Sequence, residues 1–159
     1  MTAFLGGNPL TSYTQAEVNA GRGMGAGDRF VDYMGREYIF LKATAAVSAA
    51  RFCALANDNS GAQHLTNAQN ASGSRVGVVS TDVALGDWGW FQVYGPASIR
   101  VAASTTGGAK LYTTASAGVA GSTATSQDEI VGATLTTTSG GAESSALGFV
   151  NYPNVGILT

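Results

Sequence analysis

One histidine and one cysteine set the ceiling on nucleophilic and metal chemistry in this 159-residue chain. His64 lies beside Gln63 in a polar stretch, and Cys53 lies within the apolar run RFCALA. A thiol, an imidazole and an orienting carboxylate such as Asp58 are the parts of a covalent catalytic site. The apolar run argues instead for core, where a thiol behaves as a small hydrophobe. A zinc centre takes three or four ligands at suitable spacing, and one His with one Cys does not supply them. The nearest carboxylate groupings are Asp28/Asp32, Asp82/Asp87 and Asp128/Glu129. None has the apolar surroundings that raise a pKa for acid catalysis. Asp82 and Asp87 flank VALG and read as turn acceptors for local N–H groups. The glycines at 21, 23, 25 and 27 lack the Lys-Ser/Thr and the preceding strand of a phosphate loop. The expectation is a chain with no catalytic residue, no cofactor and no metal.

Aromatic residues are the more informative chemistry. In GDWGWFQVYGPASIR (86–100), period-2 alternation puts Trp88, Trp90, Gln92 and Tyr94 on one face of an extended chain. Gly89, Phe91 and Val93 fall on the other. Gly95-Pro96 then breaks the ladder, predicting a hairpin or strand corner before Ile99 and Val101 resume the alternation. Both faces must be covered, by the chain's own second layer or by another subunit. Phe91 and Val93 are expected in a core, and Trp88 and Trp90 on an outer face. Trp88, Trp90, Tyr94 and Tyr33 are the candidate subunit or partner contacts; the same four side chains would also suit a sugar-stacking platform.

The elements that position these residues are short strands. Charged residues make up 11% of the chain, against about 25% in ordinary soluble proteins. With 22 glycines and much Ala, Ser and Thr, that composition suits strands joined by small-residue turns, and surface destined for contact. The net charge of −2 and the scattered basic residues argue against nucleic acid. No apolar run approaches the roughly 18 residues of a membrane span, and the N-terminus lacks the pattern of a signal peptide. A lone cysteine fits assembly in a reducing cytoplasm.

Residues 1–27 predict an extended Gly-rich arm, with one helical turn in TSYTQAEV capped by Thr11 or Ser12. The arm is expected to be mobile in the free protein. Residues 28–159 predict a single β-domain. Strands are expected at 28–33 and 37–43 around a Met34-Gly35-Arg36 turn, and AAVSAA (45–50) makes a turn at most. From there the chain repeats itself at an offset of about 55–59 residues, in the range of repeated structural units. Lys42-Ala43 and ARFC (50–53) parallel Val101-Ala102 and AKLY (109–112). RVGV (75–78) parallels IVGA (130–133), and WFQVY (90–94) parallels GFVNY (148–152). The polar segments 57–74 and 114–127 occupy equivalent places as loops. The fold expected is all-β, a small barrel, β-tulip or sandwich of two related units.

The order GDRFVDYMGREYIFLKATAAVSAARFCAL, SRVGVV, GDWGWFQVYGPASIRVAAS, GAKLYTTASAGVAG, EIVGATL and ALGFVNYPNVG resembles tailed-bacteriophage capsid decoration (cement) proteins, over residues 27–156. The resemblance implies a small β-barrel or β-tulip without catalysis. It implies a virion protein, assembled in the host cytoplasm, that binds the outer surface of the capsid. The partner is then the major capsid protein, alongside self-association in which a trimer is favoured and a dimer is possible. A carbohydrate-binding β-module is the alternative that the aromatic residues leave open.

Overall fold

The computed structural model describes residues 8–21, 24–67, 73–124 and 127–156. The chain is nearly all β. Among the described residues one helix, α1 (Gln15–Asn19), precedes ten strands: β1 (Arg29–Val31), β2 (Glu37–Lys42), β3 (Phe52–Leu55), β4 (Ala62–His64), β5 (Arg75–Val79), β6 (Trp88–Val101), β7 (Tyr112–Thr113), β8 (Ala120–Gly121), β9 (Ile130–Leu135) and β10 (Ser144–Val155). The main path of the sheet runs β1-β2-β6-β10-β5-β3-β4. It curls into a half-barrel, an open form of the barrel expected from the sequence.

Two units of like connectivity make up this sheet. In the first, β2 and β5 pair antiparallel with the front of β6, β3 pairs with β5, and β4 pairs with β3. In the second, the back of β6 and β9 pair antiparallel with β10, and β8 pairs with β7. Each unit also has one parallel bridge, Ala43 to Ala62 and Val101 to Ala120. Both partners are displaced by 58 positions (43 to 101, 62 to 120), within the range of 55–59 read from the sequence, although that reading set Ala43 against Ala102, one residue further on. The segments 57–74 and 114–127 are more than loops, since they contain β4 and β8, again in matching places.

The pairing of the last strands slips by one residue from the predicted alignment of 90–94 with 148–152. Ile39 faces Phe91 and Ala97 faces Gly148, so Phe91 corresponds to Gly148 and Val93 to Val150. Each unit fills its own core. Ile39, Leu41, Cys53, Leu55, Phe91 and Val93 pack in the first. Ala97, Ile99, Leu111, Ile130, Leu135 and Val150 pack in the second, together with Phe52, Val76 and Val78 from β3 and β5. Alternation explains the join: β3 and β5 bury one row of side chains in each core.

β6 is continuous through 14 residues rather than split into a hairpin. Gly95 and Pro96 stay in the ladder, opposite Val150 and Phe149. The strand turns its corner there because Gly95 takes φ +101°, and a Cβ on it would lie 2.9 Å from Arg36 Cγ. Gln92, buried, donates from Nε2 to the carbonyls of Tyr94 at 3.1 Å and Pro96 at 2.8 Å. These bonds satisfy acceptors around the bend. The AAVSAA segment is not helical: Val47 makes an antiparallel bridge with Val83.

Candidate contact surfaces

The predicted alternation in β6 holds, but the outer aromatic face is not a free surface. Tyr38, Phe40 and Trp90 form a third apolar cluster against which Tyr13, Val18, Met24, Phe30 and Trp88 pack. Trp90 is 0% exposed. As a candidate contact it is therefore corrected: the chain itself encloses it, with the Phe30 ring of β1 5.7 Å away and the N-terminal segment packed on the same cluster. Phe40 stacks on Trp88 with centroids 5.5 Å apart, and Tyr13 meets Phe40 edge-on at 5.7 Å. Trp88 is half-buried beneath the same cover.

The covering segment is held by specific bonds. Tyr13 and Trp88 exchange backbone hydrogen bonds. Gln15 Oε1 accepts from both Lys42 Nζ and Trp88 Nε1, each at 3.1 Å. The cap of α1 is Thr14 rather than Thr11 or Ser12. Its side chain accepts from Glu17 N–H while the Glu17 carboxylate accepts from Thr14 N–H, a reciprocal capping box. Thus Tyr13, Gln15 and Val18 hold this segment against the sheet, unlike the extended arm expected from the glycines at 21–27. Residues 1–7 and 22–23 of that expected arm lie outside the described residues, as do 68–72 and 125–126 of the two expected loops.

The outer face of the second unit has a different character. Where Phe40 faces Trp90 in the first unit, Ser98 faces Leu147 in the second. Around that pair lie Pro96, Thr134, Ser145 and Phe149, an uncharged row in which Leu147 is 64% exposed. The Arg100–Glu143 ion pair, 2.9 Å, sits at its margin. At the other end Tyr94, half-buried, meets Phe149 edge-on at 5.4 Å and lies 5.6 Å from the Tyr152 ring. Tyr152 holds φ +44° and donates its hydroxyl to Glu37 at 2.6 Å. Leu147 and Tyr152 are exposed large side chains that the sequence reading did not single out. The register of β10, once known, is what exposes them.

A separate apolar corner surrounds the β1–β2 turn. Tyr33 is 95% exposed, Val31 58% and Met34 56%. Tyr33 shares a cleft of about 450 Å³ with Leu10, Phe30 and Tyr38. The charges there cancel: Arg36 Nε donates to Asp32 Oδ2 at 2.6 Å, and Asp32 Oδ1 accepts from the N–H groups of Met34 and Arg36. Burial opposes ionisation of Asp32, yet these donors together hold its carboxyl below the usual range. So Tyr33 and Tyr94 belong to two different surfaces, and Trp88 and Trp90 to neither.

The residues with possible nucleophilic chemistry are structural. Cys53 and His64 are register partners on neighbouring strands. Cys53 is fully enclosed, and burial pushes its thiol far up, the opposite of an activated nucleophile. His64 Nε2 accepts from Ser48 N–H at 2.9 Å, and burial followed by the Arg51 charge lowers its pKa. Asp58 accepts from Ser60 N–H and Asp82 from Ala49 N–H, both loop-shaping bonds. Among the described residues no three His, Cys, Asp or Glu side chains converge as a metal site. No helix among them is long and apolar enough to cross a membrane.

Comparison with protein-family models and with curated protein sequences found no match to this chain.

Proposed function

We propose that this chain is a structural virion protein that binds the outer surface of a tailed-phage capsid and cements neighbouring capsomers against the pressure of packaged DNA. The resemblance of residues 27–156 to decoration proteins supports this reading. The observation that carries it is the broken equivalence of the two units. The first unit's outer face is closed by the chain's own N-terminal segment. The second unit's matching face is open, uncharged and carries exposed Leu147. A sheet face with an exposed aliphatic centre and a single paired charge, Arg100 with Glu143, at its margin suits close packing on a flat protein surface, where little charge needs desolvating. The partner is the major capsid protein. Repetition of a modest contact over many copies supplies the strength that one contact lacks.

Phage heads lacking the protein and heads supplemented with it, compared for retention of DNA on heating, test the proposal. Supplemented heads should withstand a higher temperature. Leu147→Glu should abolish binding to heads without lowering the melting temperature of the free protein. Equal head stability with and without the protein would sink the idea.

The cleft beside Tyr33 favours a second reading, a carbohydrate-binding module. It combines aromatic rings with a neutralised Asp32–Arg36 pair, a setting for stacking an uncharged sugar ring. Saturable retention on a polysaccharide column, lost in Tyr33→Ala, would favour it over the capsid reading.

A further inference from the structure

We infer that β1 is a self-pairing edge, through which two copies of this chain join in an antiparallel, two-fold arrangement. The argument begins with the phase of the hydrogen bonds. Among the described residues β1 ends the sheet and pairs only with β2. Asp28 accepts through its carbonyl from Phe40 N–H at 2.9 Å, and Asp32 N–H donates to Arg36 O at 3.0 Å. Alternation then turns the backbone groups of Phe30 toward Tyr38, its register partner. The N–H and C=O groups of Arg29 and Val31 point the other way, out of the sheet. They are the unpaired row that makes an edge strand a template for another strand.

The occupant follows from symmetry and charge. An antiparallel pair of identical strands is two-fold symmetric by construction, so one surface serves both partners. With the axis at Phe30, Arg29 of one copy faces Val31 of the other, and each such pair exchanges two backbone hydrogen bonds. No arginine then opposes an arginine, avoiding the like-charge penalty across strands. This register sets Asp32 opposite Asp28 of the other copy, and the Arg36 guanidinium bonded to Asp32 offsets the charge there. Val31, Tyr33 and Met34, each more than half exposed, line the same edge and its turn, and association covers them. β1 has only three residues, so backbone bonds set the register while the apolar corner supplies most of the driving force.

This inference does not depend on the capsid reading, because it concerns the isolated protein. The test measures mass by light scattering and native mass spectrometry over a hundredfold range of concentration. The expected species is twice the 16.0 kDa chain. Val31→Pro removes an outward N–H that bonds to nothing among the described residues, so it weakens pairing without removing a bond seen within the chain. Tyr33→Ser combined with Met34→Ser leaves the backbone edge intact and removes apolar cover. Each variant should raise the dimer dissociation constant by about tenfold or more, with the melting temperature of the monomer preserved. If Val31→Pro proves unfolded, the double serine variant carries the test alone. A monomer throughout the range would overturn the inference, as would a dimer indifferent to these variants. A trimer would overturn it too, since a two-fold edge cannot close a three-membered ring.

Discussion

Tyr13 and Trp88 are joined by two reciprocal backbone hydrogen bonds, Tyr13 N–H to Trp88 O at 2.8 Å and Trp88 N–H to Tyr13 O at 2.7 Å. This bridge makes the N-terminal segment part of the folded body. Deleting residues 1–20 should uncover Tyr38, Phe40 and Trp90 and lower stability by about 3 kcal/mol or more, at roughly 1.5–3 kcal/mol for each large side chain returned to water. Denaturant titration of the truncated and full chains measures the loss. An unchanged midpoint would mean that the segment rests on the sheet without stabilising it.

Trp90 and Phe91 are both fully enclosed, on opposite sides of β6. Each alanine substitution should therefore destabilise the fold by about 3–5 kcal/mol, a large aromatic truncation in a packed site. Trp90→Phe should cost much less. Trp90 Nε1 is buried and has no hydrogen-bond partner among the described residues, so phenylalanine removes a poorly satisfied donor along with some volume. Comparing the three variants by thermal melting checks the order.

Gln92 holds the corner of β6 through two carbonyls. Gln92→Leu keeps the volume and strands both acceptors in a buried setting. The expected loss is about 1–3 kcal/mol for each acceptor left dry. A loss no larger than that of an exposed substitution such as Ser98→Ala would show that water reaches the bend.

His64 links stability to pH. Its Nε2 accepts from Ser48 only when unprotonated, and its pKa in the folded state lies below the ordinary histidine value. The unfolded imidazole takes up a proton near pH 6.5 while the folded one stays neutral. This contribution is therefore complete above that pH, is lost as pH falls through the window down to the folded value, and levels off below it. His64→Gln should flatten that part of the melting profile. An identical slope in the variant would assign the dependence to other groups.

Much of the architecture was legible because period-2 spacing is a local property of the chain. Phe91 and Val93 separate from Trp88 and Trp90 as the alternation demands, and the repeat recurs in the strand pairing at an offset of 58, within the 55–59 read from the sequence. What covers Trp90 was not legible. Alternating glycines at 21–27 argued for an arm, but the anchors at Tyr13 and Gln15 lie upstream of them. Their partners, Trp88 and Lys42, are distant in sequence. The continuity of β6 was equally hidden. Gly95-Pro96 is a breaker by composition, yet Pro96 lacks only an N–H, and the ladder with β10 continues past it. The one-residue slip of β10 has the same origin: a shift of pairing register leaves no mark on the alternation within the strand itself.

β6 threads both units as one strand and is bonded to different partners along its length. A pull along its axis meets those lateral bonds in shear, many at once, instead of peeling them apart in sequence. The two cores also interlock through β3 and β5, so neither unit can come away while the other stays whole. The molecule should accordingly yield to stretching in a single step at high force rather than in two small ones.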